Sequence, residues 1–220
     1  MISPKEIYKQ IYQLTIDIIN SALCNHQNFP SIKSLPNGVI EVGINSIEKS
    51  IFLKNISYSQ LYYELLEQKF YNIRMLDGGL ITLQYKFKNN ELIAHRLTFF
   101  PSPDLEIFQN EAEFYLKDEI YLDILDKKIV GVPLRFDFDS GEAFIPIKHP
   151  KSHLTLGQYE KCRIPVSSAL TPYQFVEFIL RNFYFVASDK KECALTKYSN
   201  VFEKSIVQEE KKLIHICIPS

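Results

Sequence analysis

The sequence predicts an α+β fold, a mainly antiparallel sheet with flanking helices, and three observations carry that prediction. Its 220 residues include 16 Phe and 13 Tyr but no Trp, and Phe and Tyr favour strands and fill cores. Asp77-Gly78-Gly79 and Asn89-Asn90 interrupt apolar runs at hairpin spacing, because these residue types tolerate the positive φ of a tight reversal. Helical signals bracket the strands and do not alternate with them, which argues for α+β over regular βαβ units.

Three helix starts share one chemistry. Ser3-Pro4-Lys5-Glu6, Ser57-Tyr58-Ser59-Gln60 and Thr171-Pro172-Tyr173-Gln174 all fit the capping box, in which a hydroxyl covers an orphan amide and Glu or Gln reaches back. Pro4 and Pro172 take the first helical position, where the missing N–H costs nothing. The first helix is expected to run to about Asn25, with Ile7, Ile11, Leu14, Ile18 and Ala22 as its apolar stripe. The second is expected over roughly Tyr58 to Phe70. The third should run from Pro172 to about Phe185 and present Phe175, Phe178, Ile179 and Asn182 at helical spacing.

Strands are expected at Gly38–Ile44, Ser50–Leu53, Asn72–Leu76, Leu80–Lys88, Leu92–Phe100, Val132–Phe138, Lys161–Val166 and Leu213–Ile218. Glu111–Leu125 fits helix or strand equally, Ser188–Lys191 reads as a loop, and Glu209–Lys212 as a polar turn or helix end. No internal repeat or linker divides the chain. A single α+β domain over residues 1–220 is therefore expected, with 1–70 a helical and strand portion and 71–220 the sheet core.

Composition excludes several function classes. Only 7 Gly are present, with neither GxGxxG nor GxxxxGK[ST], so the usual nucleotide-binding loops are absent. Net charge is −1 from 25 basic and 26 acidic side chains, so the whole molecule carries no electrostatic footprint for nucleic acid. Locally the balance differs. Asp104–Asp126 holds eight acidic residues against Lys117 alone, whereas Ile147–Arg163 carries Lys148, Lys151, Lys161 and Arg163 against Glu160. An anion would prefer the second region, although charge runs are also what solvated faces look like. Cys24, Cys162, Cys193 and Cys217 are scattered without CxxC spacing, which excludes zinc-ribbon clusters and suits reduced thiols. Met-Ile-Ser-Pro-Lys-Glu is no signal peptide, and no run reaches the ~18 apolar residues of a membrane span. A soluble cytoplasmic protein without membrane contact is expected.

Chemistry concentrates between Arg135 and Arg163. Strand alternation puts Arg135, Asp137 and Asp139 on one face, with Phe136 and Phe138 on the other. That row is either a solvent-facing strand with a local ion pair or part of a site. His149 and His153 are four apart, so a helix would place both imidazoles on one face; Pro150 permits that helix without demanding it. Three readings stay open for the pair. They brace the loop, they hold a divalent metal together with Asp137 or Asp139, or they act as acid and base on a phosphodiester with Arg135 or Arg163 stabilising the phosphorane charge. Lys148, Lys151 and Arg163 are the candidate substrate-binding cations.

His95-Arg96 lies within an apolar strand, so one of the two turns inward while Arg96 can join the pocket of Arg135. His26 is expected at the C-terminal end of the first helix, His215 in packing, and Cys162 as a buried, inert thiol.

The order of these signals resembles a known family. An Arg-Phe-Asp strand, the loop His149-Pro-Lys-Ser-His-Leu154, the strand Cys162-Arg-Ile-Pro165 and a Thr-Pro helix ending in Arg181-Asn-Phe-Tyr184 resemble the bacterial domain of unknown function 2290 family. That resemblance implies no activity. The same order is distantly similar to TumE-type toxins of toxin–antitoxin pairs, which have an Arg-Tyr-Asp strand and a histidine loop; Phe136 stands here where they have Tyr. This second resemblance implies a growth-inhibiting or phage-defence setting. The function expected is a toxin-like protein acting on nucleic acid, a ribonuclease, through Arg135, Asp137, His149, His153 and Arg163. The alternative is a non-enzymatic subunit or adaptor whose acidic segment docks a basic partner, an antitoxin or a defence-complex subunit.

Overall fold

The computed structural model describes residues 2–44, 56–103, 131–141, 143–159, 161–189 and 194–219. The expected strand Ser50–Leu53, the acidic stretch Asp104–Asp126 with the helix-or-strand segment in it, Lys190 and Lys191, and Cys193 lie outside the described residues. In chain order the elements are α1 (Pro4–Asn20), β1 (Cys24–Gln27), β2 (Ser31–Leu35), β3 (Val39–Gly43), α2 (Tyr58–Glu67), β4 (Ile73–Met75), β5 (Leu80–Lys88), β6 (Glu91–Phe100), β7 (Leu134–Asp139), β8 (Ser152–Leu156), β9 (Ile164–Pro165), α3 (Pro172–Phe183), α4 (Phe185–Asp189) and α5 (Gln208–Lys211). The fold is α+β, as expected.

Among the described residues all strand pairings are antiparallel, in the order β1-β4-β5-β6-β7-β8-β9, with the β2–β3 hairpin pairing the far half of β5 beside β4. The turns form for the reasons their sequences suggest. Asn89 and Asn90 both take positive φ, 53° and 64°, and join β5 to β6. Gly78 does the same at 85° between β4 and β5. All three capping boxes close, at Ser3, Ser57 and Thr171.

Several boundaries differ from expectation. The first helix ends at Asn20, because Ala22 turns left-handed at φ 54°. The chain then enters β1 and β2, two strands that short, mixed-polarity runs did not announce. Ala22 is exposed and leaves the stripe, while Ile7, Ile11, Leu14 and Ile18 are buried. Leu213–Ile218 is not a strand; a single parallel bridge joins Ile216 to Val166, and Ile214 is 93% exposed. Lys161–Val166 contracts to β9 and that bridge. The loop expected from Ser188 overlaps α4.

Helices α1 and α3 cover one face of the sheet. Ile7, Ile11, Leu14 and Ile18 pack with Phe175, Val176, Ile179 and Leu180 and with the inward residues of β3–β8. Phe136 meets Phe175 and Phe178 edge-on, at 6.0 and 5.7 Å between ring centres. Burying one such ring stabilises by about 1.5–3 kcal/mol. A second, smaller core joins α2 to the start of β5 and the end of β6 through Leu61, Tyr62, Leu65, Leu80 and Phe100. The arrangement fixes strand β7 by its apolar side, so Arg135 and Asp137 must project from the other.

Candidate functional site

Cross-strand register assembles the site. Gln84 on β5 pairs with Arg96 on β6, Arg96 with Asp137 on β7, Asp137 with His153 on β8, and His153 with Pro165 on β9. Residues paired directly across antiparallel strands have Cβ atoms about 4.5–5.5 Å apart. A single row therefore carries a cation, an anion and an imidazole contributed by three strands. The next row on the same face holds Thr98, Arg135 and Thr155; both threonines are buried.

Asp137 is the hub. Its Oδ1 accepts from Arg96 Nε at 2.9 Å and its Oδ2 from Arg135 Nε at 2.6 Å. Burial would push this carboxyl up, but Arg135 and then Arg96 outweigh burial and hold it below its ordinary value. The local ion pair expected within the strand forms between Arg135 and Asp137, but the row is not uniformly solvent-facing, since Asp137 is only 8% exposed. Asp139 does not join. It is exposed and accepts from the Gly141 amide at 2.8 Å, closing a local turn.

The two histidines meet without a helix. His153 lies within β8, and His149 belongs to a reversal in which Ile145 and His149 exchange backbone hydrogen bonds. The helical expectation is therefore corrected, yet the imidazole centres are 5.5 Å apart. His149 Nδ1 donates to the Ala143 carbonyl at 2.8 Å, and His153 Nδ1 to the Pro150 carbonyl at 3.1 Å. Carbonyls only accept, so these contacts place the proton on Nδ1 and leave each Nε2 as the basic nitrogen. His153 Nε2 lies 3.8 Å from Asp137 Oδ2. Burial lowers the His153 pKa more than Asp137 raises it, so this ring is neutral near pH 7.

The remaining expected residues separate. Arg96 joins the cluster. Arg163 Nη1 instead donates to the Lys148 carbonyl at 3.2 Å and braces the loop. Lys148 is exposed beside His149, whereas Lys151 sets its ammonium over the Phe144 ring, 5.4 Å from its centre. Cys162 is half-buried, so the expected buried thiol is corrected; with Leu156, Gln158, Tyr159 and Lys161 it lines an open recess of about 690 Å³. His26 sits in β1 against Tyr71, Nδ1 to hydroxyl 3.0 Å, and does not serve the end of α1. His215 is half-buried, its Nδ1 bonded to the Leu213 carbonyl at 2.9 Å. Among the described residues no three His, Cys, Asp or Glu side chains converge as metal ligands. The pairing of both histidines with Asp137 or Asp139 as a ligand set therefore does not form.

His95 turns inward, as one of the His95-Arg96 pair had to. Its Nε2 accepts from the Leu170 amide at 3.1 Å, while its Nδ1 has no hydrogen-bond partner among the described residues. Burial drives its pKa down to about 4.

A second polar cluster was not anticipated. Asp77, in the β4–β5 turn, is buried and accepts from the Gly79 amide at 2.9 Å and from the Tyr184 hydroxyl at 2.8 and 3.0 Å. Burial raises its pKa. A side chain at position 79 would stand 2.8 Å from the Tyr184 hydroxyl, so glycine is required there. The turn sequence showed the reversal, and only tertiary packing brought Tyr184 to it.

A family model for an uncharacterized conserved protein (DUF2290) matches residues 23–218. The chain belongs to this family. No curated protein and no solved structure matches, and so nothing found carries the TumE-type similarity. The DUF2290 match runs from just before β1 to Ile218 and includes every residue of the Arg96–Asp137–His153 row. Among the described residues, no helix of this DUF2290 protein is long and apolar enough to cross a membrane.

Proposed function

We propose that the protein acts on nucleic acid, RNA foremost, by cleaving phosphodiester bonds with His149 and His153 as the acid–base pair. The supporting observation is the imidazole geometry: rings 5.5 Å apart, each with Nδ1 turned to a backbone carbonyl. Both Nε2 atoms are then the nitrogens that can exchange protons with a ligand. His153, kept neutral by burial, has the protonation state of a base. His149, nearer solvent, is the acid once protonated.

In the reaction His153 Nε2 takes the proton of a 2′-hydroxyl, and the 2′-oxygen bonds to phosphorus. The bond from phosphorus to the 5′-oxygen breaks, and His149 gives that oxygen its proton. The products are a 2′,3′-cyclic phosphate and a 5′-hydroxyl. Arg135, held by its Nε on Asp137, turns its remaining guanidinium nitrogens to the charge that develops on phosphate, and Lys148 adds a cation at the loop. In a bacterial cell this activity is a growth-inhibiting one, suited to a toxin or a phage-defence system.

A second reading has its own support. His153 is only 4% exposed, and Asp137 already engages both guanidiniums, so the row also suits an internal brace in a non-enzymatic subunit of a larger complex. End-labelled RNA incubated with the purified protein separates the two. The nuclease reading expects fragments with 2′,3′-cyclic phosphate ends, blocked by a 2′-deoxy substitution at the scissile nucleotide. It further expects a loss of about 10²–10⁴-fold in rate for H149A/H153A at unchanged circular dichroism. No cleavage by the wild-type protein, with a stoichiometric partner recovered from native cells, would establish the subunit reading in its place.

A further inference from the structure

The loop that carries His149 is short, strained and held from outside. Ile145 N–H donates to the His149 carbonyl at 3.1 Å and His149 N–H returns the bond at 2.7 Å, closing residues 145–149 into a tight reversal. Ile147, at its tip, has φ +68°. Among the described residues it is the one β-branched residue in the left-handed region; the others there are Ala, Asn, Lys and Gly. Such a conformation is unfavourable for Ile and persists only where surrounding contacts over-determine it.

Two contacts reach the loop from elsewhere. Arg163 Nη1 takes the Lys148 carbonyl, and Glu210 Oε1 accepts the Ile147 amide at 3.4 Å. Glu210 is 1% exposed and forms no ion pair among the described residues. Its other oxygen accepts from the Val207 amide at 3.2 Å, the backward bond of a helix cap. A Glu that only capped α5 could remain at the surface. This one is buried, and it reaches across 63 positions of sequence to the strained residue.

The segment around it, a strap of residues 205–218, is fastened to the sheet end. Ser205 N–H donates to the Ser167 carbonyl at 2.9 Å, Ile216 N–H to the Pro165 carbonyl at 2.9 Å, and Ile218 N–H to Ser167 Oγ at 2.8 Å. The strap thus holds the carboxylate from the strand end that follows β9, next to β8 and His153.

We propose that Glu210 is a positioning residue for His149: by holding the Ile147 amide it keeps the reversal in its left-handed form, and so sets the distance between the two imidazoles. The catalytic part of this inference rests on the nuclease reading, whereas the conformational part does not. The test compares E210A, E210Q, I147G and the double variant E210A/I147G by two readouts: the ring resonances of His149 in the full-length protein, and RNA cleavage at equal folded fraction.

E210A is expected to shift the His149 resonances and to lower cleavage by about ten- to a hundredfold, the scale of a small misplacement of a catalytic group. E210Q, which keeps a side-chain acceptor, should restore most of both. I147G should leave both near wild type, and E210A/I147G should recover them, since glycine adopts positive φ without strain. Unmoved His149 resonances in folded E210A would overturn the proposal. So would a loss that I147G fails to rescue, because Glu210 would then support the fold generally. If the wild type cleaves no RNA, the nuclease reading fails and the resonances still decide the role of Glu210.

Discussion

The two faces of the sheet use the same strands but are held by different physics. One row runs Leu83, Leu97, Phe136, Leu154, Ile164 across β5 to β9. The row one residue further along β5 runs Gln84, Arg96, Asp137, His153, Pro165. The first gains from area, and dispersion and burial are indifferent to which apolar group meets which. The second gains only when a particular donor meets a particular acceptor, and a slip of one residue would exchange the rows. The apolar face therefore provides the energy that enforces register, and the polar face is where register becomes chemistry.

Four measurements break or sharpen that contrast. The largest effect is expected from Phe136→Ala, about 3–5 kcal/mol of stability for a buried aromatic, read from the urea midpoint. Because the same strand presents Asp137, the variant should also loosen the polar row, seen as faster exchange of the β7 amides. Removing an apolar side chain would thereby disturb ionic contacts it never touches.

Acid is the next probe. His95 belongs to the apolar face, with a folded pKa of about 4 against about 6.5 unfolded. The unfolded chain therefore binds the proton more readily, and stability, complete above about pH 6.5, should fall as the pH drops towards 4. The loss is on the order of 3 kcal/mol. Denaturation at pH 7 and pH 4.5 tests it, and His95→Gln should flatten the dependence. A pH profile unchanged by that substitution would place the sensitivity elsewhere.

Asp137→Asn should cost about 2 kcal/mol, since it leaves two guanidiniums beside a neutral amide. Both arginines are more than a third exposed, which keeps the figure below that of a fully buried pair. Adding Arg135→Met to Asp137→Asn should cost less than the sum of the single effects; strict additivity would mean the pair contributes nothing. Tyr184→Phe is the smallest, about 1 kcal/mol for a hydroxyl lost from Asp77, measurable as a shift of the urea midpoint.

How much of this was legible before folding depends on the range of the interaction. Ser3, Ser57 and Thr171 cap their helices through atoms three residues away, and Asn89-Asn90 makes its turn from its own backbone preferences. The site was only half legible. Arg135 and Asp137 share a face by alternation, and the closeness of His149 and His153 was expected, but through a helix that does not form. They meet because a reversal at Ile145–His149 folds one ring back over a strand that carries the other. Arg96 could be named as a candidate, whereas its partner could not, since nothing local aligns β6 with β7.

What the sequence by itself determined, then, is the α+β class, the capped helices, the hairpin turns and the polar face of β7, all consequences of bonds and torsions spanning a few residues. Only the tertiary structure decided that Arg96 reaches Asp137, that His95 accepts from the Leu170 amide, that Tyr184 closes on Asp77, and that Glu210 reaches Ile147. Each of these joins residues tens of positions apart. Their meeting depends on which strands pair and in what register, which the packing of α1 and α3 on the opposite face enforces.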